Sequence, residues 1–104
     1  MKNPETIKYL VQRIVEESSP LRILVFGSTI RGESRADSDI DILVVMPDGT
    51  HRRRTAQQLY RNIRNANIPF DILVTTPSDL EKYKDNPGLI YKTVLQEGVV
   101  VYAA

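Results

Sequence analysis

The sequence has no cysteine and a single histidine, His51. The missing cysteine excludes disulfides and thiolate metal sites and fits a reducing compartment, while a lone histidine leaves no paired ligands for zinc. The formal net charge is only +1, so no overall field draws the chain to nucleic acid or to a membrane. No apolar run approaches membrane-spanning length, and residues 1–5 lack the hydrophobic region of a signal peptide. These absences predict a soluble, cytoplasmic protein that recognises charged partners through a local patch.

What is present is an ordinary globular composition, with 41% hydrophobic and 26% charged residues over 104 positions. That length predicts one domain over residues 1–104. Hydrophobic periodicity predicts the element order α-β-β-α-β-α-α-β. The predicted elements are a helix over 4–17, strands over 21–26 and 39–46, a helix over 50–66, a strand over 68–75, helices that start near 76 and 86, and a strand over 99–102.

This order predicts an α/β or α+β domain, in which a small mixed sheet carries helices packed mainly on one face. The first strand contains an unbroken apolar stretch, Ile23–Phe26. Such a stretch is typical of a strand that is covered on both faces. Thr76 and Pro77 form a helix start, with threonine as the cap and proline in the first turn.

Two aspartates stand at the start of the second predicted strand. Asp39 and Asp41 are two residues apart, so strand alternation points both to one face while Ile40 and Ile42 point to the core. Asp71 lies in the third predicted strand, and the three carboxylates converge if that strand neighbours the second. Carboxylates at such a short distance repel one another, and a hard cation such as Mg²⁺ relieves the repulsion. We therefore predict that Asp39, Asp41 and Asp71 hold a pair of Mg²⁺ ions and serve phosphoryl or nucleotidyl transfer.

A second motif, Gly27-Ser28, ends the first strand. Glycine at this point lets the backbone approach a ligand closely. If a helical turn starts at Ser28, its free N–H groups and the Ser28 hydroxyl form an anion site. Arg31 lies one turn further on and can reach the same anion. Gly27, Ser28 and Arg31 are thus the predicted phosphate-binding residues for a metal–nucleoside triphosphate.

Together these motifs resemble the signature of the DNA polymerase beta-type nucleotidyltransferase superfamily. The pattern consists of Gly27-Ser28, Arg31-Gly32, Ser38-Asp39-Ile40-Asp41 before an apolar strand, and Asp71 on a later strand. The short length is similar to the minimal nucleotidyltransferase branch, whose members are commonly partnered with a small helical HEPN-domain protein in toxin–antitoxin pairs. The resemblance rests on motifs over residues 21–75 and implies a nucleotidyltransferase fold.

The resemblance also implies roles for individual residues. Gly27 and Ser28 would hold the triphosphate of ATP, and Asp39 and Asp41 would hold both Mg²⁺ ions. Asp71 would complete the metal site and help to deprotonate the attacking hydroxyl. The implied reaction is transfer of AMP to a tyrosine of a HEPN-domain toxin, which makes the protein an antitoxin and part of a hetero-oligomer.

Each motif also has a purely structural interpretation. A strand–Gly–Ser turn is common, and an Asp-x-Asp pair can lie on an exposed strand edge. Arg31 can pair with Glu33 or Asp37 at the surface rather than with phosphate. The basic run His51–Arg54 can be a solvated helix face, although positive charge at a helix start is unfavourable, and it can instead steer a polyphosphate or an acidic partner.

Two other functions remain open at the level of sequence. One is a stand-alone transferase that modifies a small-molecule hydroxyl, as in antibiotic-modifying enzymes, although such enzymes usually carry an acceptor-binding domain. The other is a non-catalytic module that neutralises its partner by binding alone, against which the intact set of acidic residues argues.

Overall fold

The computed structural model describes residues 4–27, 30, 39–63, 69–86 and 90–104. Within them the regular elements follow the predicted order, which is confirmed. They are helices α1 (Pro4–Ser18), α2 (Arg52–Asn62), α3 (Pro77–Tyr83) and α4 (Ile90–Glu97), and strands β1 (Arg22–Phe26), β2 (Ile40–Val45), β3 (Phe70–Thr75) and β4 (Val99–Ala103). None of the helices in this part of the chain is long and apolar enough to cross a membrane.

The strands form one mixed sheet in the order β3-β2-β1-β4. Strand β1 pairs antiparallel with both β2 and β4. Strand β2 pairs parallel with β3. Parallel neighbours need a crossover connection, and helix α2 lies in that connection. The predicted α+β class with a small mixed sheet is confirmed.

Helices cover both faces of the sheet, which corrects the expectation that they pack mainly on one face. Helices α1 and α2 pack on the face that carries Ile23 and Val25, whereas α3 and α4 pack on the face that carries Leu24 and Phe26. The physical reason is the strand composition: residues of both parities are apolar in β1, so both faces need a cover. The first core contains Ile7, Leu10, Ile14, Ile23, Val25, Ile40, Ile42, Val44, Met46, Leu59, Ile63 and Val74. The second contains Leu24, Phe26, Leu43, Val45, Leu80, Tyr91 and Val94.

Helix α2 is shorter than the predicted span of 50–66. It starts after His51, whose Nδ1 accepts a hydrogen bond from the Arg54 backbone N–H at 3.1 Å. It ends at Asn62, and the next residue, Ile63, is its C-cap, whose N–H donates to the Leu59 carbonyl at 2.9 Å. The basic run thus includes the N-cap of the helix, a role that the sequence pattern did not suggest.

Helix α3 starts as predicted, with Thr76 as its N-cap and Pro77 in its first turn. The Thr76 hydroxyl oxygen accepts from the Asp79 N–H at 3.3 Å. A second acceptor comes from the turn after β2, where the Asp48 carboxylate accepts from the Ser78 N–H at 3.0 Å and from the Ser78 hydroxyl at 2.8 Å. These bonds satisfy N–H groups that have no partner within the helix.

Replacing Leu59 with alanine should lower the free energy of unfolding by about 2–5 kcal/mol, because it opens a cavity where α2 packs on the sheet. Leu59 is fully buried, whereas Leu95 on α4 is 40% exposed. Leu95→Ala is the matched control and should cost less than about 1 kcal/mol. Urea unfolding of both variants measures the difference, and equal losses would contradict the packing described for α2.

Candidate active site

The site is built on the register between strands β2 and β3. Asp41 is paired with Asp71, directly across the parallel ladder. Residues at matching positions of neighbouring strands point to the same face, with backbones about 4.8 Å apart. Asp41 is half-buried and Asp71 is exposed. Two carboxylates from distant parts of the sequence therefore lie side by side, which the sequence predicted only on condition that these strands are neighbours.

Asp39 lies just outside this ladder. Strand β2 begins at Ile40, and Asp39 precedes it as an exposed residue. Within the described parts of the chain, no group of three or more His, Cys, Asp or Glu side chains is gathered as a metal cage. The ladder therefore shows two of the three carboxylates side by side, and the place of Asp39 in the site stays a prediction.

Gly27 borders the pair from the side of β1. Phe26, the last residue of β1, is paired with Asp41, and Gly27 follows with a φ of +78°. A Cβ atom at Gly27 would collide with the Oδ2 atom of Asp41. Glycine is therefore needed at position 27 for two reasons: its backbone is left-handed, and the Asp41 carboxylate fills the space that a side chain would occupy. The sequence predicted a close approach to a ligand, and the structure shows a close approach to Asp41.

A cleft of about 490 Å³ opens over this corner of the sheet. It is lined by Phe26, Gly27, Asp41, Asp71, Ile72, Leu73 and Thr93. The volume lies within the range of small-molecule sites, and two carboxylates supply its charge. Thr93, from helix α4, is a lining residue that nothing in the sequence pattern pointed to, because it stands among ordinary helix residues.

Tyr60 lies beside Asp71 at the outer edge of the sheet. The Tyr60 hydroxyl oxygen accepts a hydrogen bond from the Ile72 backbone N–H at 2.7 Å. Its ring stacks on Phe70, with centroids 5.6 Å apart and planes 8° from parallel. Partial burial raises the pKa of Tyr60, and the charge of Asp71, a hydrogen bond to it and the charge of Asp39 raise that pKa further, while the Ile72 N–H lowers it. The phenol is therefore held in its neutral form, next to the carboxylates.

Residues His51–Arg53 of the basic run line a second cleft of about 450 Å³. Leu73 lines both clefts. The second cleft is lined by Thr50, His51, Arg52, Arg53, Leu73, Val74 and Tyr91. Arg52 pairs with Asp79 at 3.0 Å, and a partly exposed ion pair of this kind contributes little to stability. Part of the run therefore has structural partners, and the predicted steering role stays a prediction.

Two of the predicted phosphate-binding residues, Ser28 and Arg31, lie outside the described residues. The backbone beside them is described at one point, where the Ile30 N–H donates to the Gly27 carbonyl at 3.1 Å. A bond over three residues is typical of a turn or of the start of a helix. It agrees with the predicted helical turn after β1 and leaves the roles of Ser28 and Arg31 as predictions.

The donor set can be tested against the chemistry of Mg²⁺. This ion takes oxygen ligands, keeps several waters and is usually bound through one or two carboxylates together with substrate phosphates. The Asp41–Asp71 pair supplies those carboxylates in a cleft that is open to a ligand. A full protein cage is not required, so the residues present fit Mg²⁺ that is shared with a nucleotide.

The contact between Gly27 and Asp41 can be tested by two glycine substitutions. Gly27 and Gly49 both have positive φ, but a Cβ at Gly49 would meet nothing within 4 Å. Gly49→Ala should therefore cost only the backbone strain, about 1–2 kcal/mol. Gly27→Ala should cost about 1–3 kcal/mol more, because the new methyl displaces the Asp41 carboxylate. Urea unfolding checks this, and equal losses would show that Gly27 does not make room for Asp41.

Comparison with known proteins identifies the fold and the family. A candidate nucleotidyltransferase from Sulfolobus solfataricus has a TM-score of 0.64 at 22% identity, over 95% of this chain and 78% of that one. A chain of a toxin–antitoxin structure with AMP-PNP has a TM-score of 0.57 at 20% identity, over 93% of this chain and 73% of that one. No curated protein matches the sequence. The model of the family described as "Polymerase beta, Nucleotidyltransferase" matches residues 7–104, and the chain therefore belongs to the polymerase beta-type nucleotidyltransferase family.

Proposed function

We propose that the protein is a Mg²⁺-dependent adenylyltransferase that moves AMP from ATP onto a tyrosine hydroxyl of a HEPN-domain toxin. In this role it acts as the antitoxin, in the cytoplasm and in complex with its target. The observation that carries the proposal is the pairing of Asp41 with Asp71 at the floor of the cleft beside Gly27. Nucleotidyl transfer needs oxygen ligands of this kind close to a space that can accept a triphosphate.

The choice of nucleotide is supported by a related fold. One structure with the same fold is described with AMP-PNP, which is an analogue of ATP. The turn at Gly27 brings a backbone with positive φ against the cleft. Ser28, which follows it, is proposed to donate its hydroxyl and N–H to the phosphates, and Arg31 is proposed to pair with them.

In the proposed reaction, the acceptor hydroxyl oxygen attacks the α-phosphorus of ATP. The bond from that phosphorus to the bridging oxygen breaks, and pyrophosphate leaves. Asp71 takes the proton of the hydroxyl and would complete the cation site, in which Asp39 and Asp41 would hold the Mg²⁺ that accompanies the triphosphate. When bound, Mg²⁺ supplies charge stabilisation on the phosphate oxygens. A tyrosine hydroxyl has a pKa of about 10, so help with deprotonation matters at neutral pH.

The proposal of a toxin partner rests on two features. The toxin–antitoxin likeness gives this fold a setting in which it assembles with another protein. Asp71 is exposed at the edge of the sheet, which leaves it open to a hydroxyl from another chain.

The direct test is co-expression with the HEPN-domain protein, followed by measurement of the partner's intact mass. The wild-type protein should add AMP to the partner, and the Asp39→Asn, Asp41→Asn double variant should not, since it lacks the cation-binding carboxylates. Asp85→Asn is the matched control, because Asp85 is an exposed aspartate outside the cleft, and it should modify the partner normally.

Two results would contradict the proposal in different ways. An unmodified partner that the double variant still neutralises would favour neutralisation by binding alone. An unmodified partner together with transfer of AMP to a small-molecule hydroxyl would favour the antibiotic-type alternative. Removal of Mg²⁺ with a chelator should stop transfer by the wild type. Transfer that continues in the chelator would show that the reaction does not depend on Mg²⁺.

Asp71 and Asp41 should differ in what they contribute. Asp71→Asn should slow transfer by at least about 10²-fold, because the proton loses its acceptor. It should weaken binding of Mg²⁺–AMP-PNP much less than Asp41→Asn does. Calorimetric titration of both variants tests this division, and an equal loss of nucleotide binding would show that it is wrong.

A further inference from the structure

We propose that Tyr60 is a positioning residue, whose hydroxyl fixes the Asp71 carboxylate for catalysis. The inference rests on the proposed function and adds to it a residue that no motif contains. Tyr60 lies on α2, beside the buried Leu59. The structure places its hydroxyl at the edge of β3, next to Asp71.

The first step of the argument is the edge position of β3. In the order β3-β2-β1-β4, this strand has a ladder partner on one side only among the described strands. The Ile72 N–H faces the other side and donates to the Tyr60 hydroxyl oxygen at 2.7 Å. That bond fixes the backbone immediately after Asp71 and replaces the missing strand partner at this point.

The second step concerns the remaining proton of the phenol. Because the Tyr60 oxygen already accepts from Ile72, the hydroxyl proton is available for donation. Ile72 directly follows Asp71 in β3, so the hydroxyl lies beside Asp71, and we assign the Asp71 carboxylate as the acceptor of this proton. One carboxylate oxygen is then engaged by Tyr60, which leaves the other for the cleft that Asp71 lines.

The third step is the rigidity of the phenol itself. The ring stacks on Phe70, with an interplanar angle of 8°. Leu59, the preceding residue on α2, is fully buried in the core. The hydroxyl is therefore held from two sides, as a group that orients a ligand or base must be.

Tyr60→Phe removes the hydroxyl and keeps the ring that stacks on Phe70. We expect kcat to fall about 10- to 100-fold, in line with other groups that orient metal ligands. The KM for ATP should change less than about twofold, since Asp41 and the turn at Gly27 are untouched. Tyr9→Phe is the matched control, because Tyr9 is 38% exposed and Tyr60 is 42% exposed, and it should keep wild-type kcat.

A double-mutant cycle in metal-free buffer gives a readout that does not depend on transfer. The unfolding constants of Tyr60→Phe, Asp71→Asn and the double variant should depart from simple multiplication by at least about threefold. Coupling without any transfer by the wild type would uphold the contact and reject the proposed function. Transfer by the wild type with no coupling, or with unchanged kcat in Tyr60→Phe, would overturn the role of Tyr60.

A covalent adduct is the remaining alternative for a hydroxyl at this place. Peptide mass measurement after incubation with Mg²⁺ and ATP should find Tyr60 unmodified. A nucleotide attached to Tyr60 would overturn the positioning role, because the hydroxyl would then be an acceptor.

Discussion

The parallel pairing of β2 with β3 is the constraint on which the site depends. It sets Asp41 beside Asp71, although thirty positions of sequence separate them. A shift of one residue in that register would send Asp71 to the opposite face, among the apolar residues that pack under α2. The first core holds this register, since Ile42 and Val44 are fully buried in it and Val74 is almost fully buried. Packing of the apolar core on one face of the sheet therefore fixes the positions of the two carboxylates on the other face.

Helix α2 connects the fold to the chemistry. It is the crossover that makes a parallel β2–β3 pair possible, and Leu59 anchors it in the core. The next residue, Tyr60, reaches the free edge of β3 and ends against Ile72. Arg13 on α1 adds a contact at the end of α2, where it donates to the Asn62 carbonyl at 3.2 Å. The helix thus connects the core, the sheet edge and the neighbourhood of Asp71.

The site concentrates negative charge at a corner where the backbone leaves room for it. Asp41 and Asp71 repel each other, and Gly27 has no side chain that could separate or cover them. That arrangement is unfavourable for the isolated fold and favourable once a cation and a phosphate chain are shared between the strands. Local strain of this kind is common where a fold serves a ligand.

The element order, the mixed sheet and the start of α3 at Thr76 were predictable, because apolar periodicity and helix caps are local signals. The candidate carboxylates were predictable as residue types, and Asp39, Asp41 and Asp71 were predicted to converge if their strands were neighbours; the register shows this for Asp41 and Asp71. The apolar run Ile23–Phe26 requires cover on both faces of the sheet, whereas the expectation of helices mainly on one face did not include it. The position of Tyr60 could not be predicted, since a tyrosine in a helix stripe gives no sign of the sheet edge that it will reach. The match of the family to residues 7–104 agrees with the motif resemblance.

The central claim is that the corner formed by Gly27, Asp41 and Asp71 binds a divalent cation together with a nucleotide. Paramagnetic broadening of backbone NMR signals by Mn²⁺ in the presence of AMP-PNP, with Mg²⁺ as the diamagnetic reference, tests it most directly. The account predicts the strongest broadening at the amides of these three residues and their immediate neighbours. Broadening centred on the basic cleft at His51 and Arg53, or spread evenly over the surface, would contradict it.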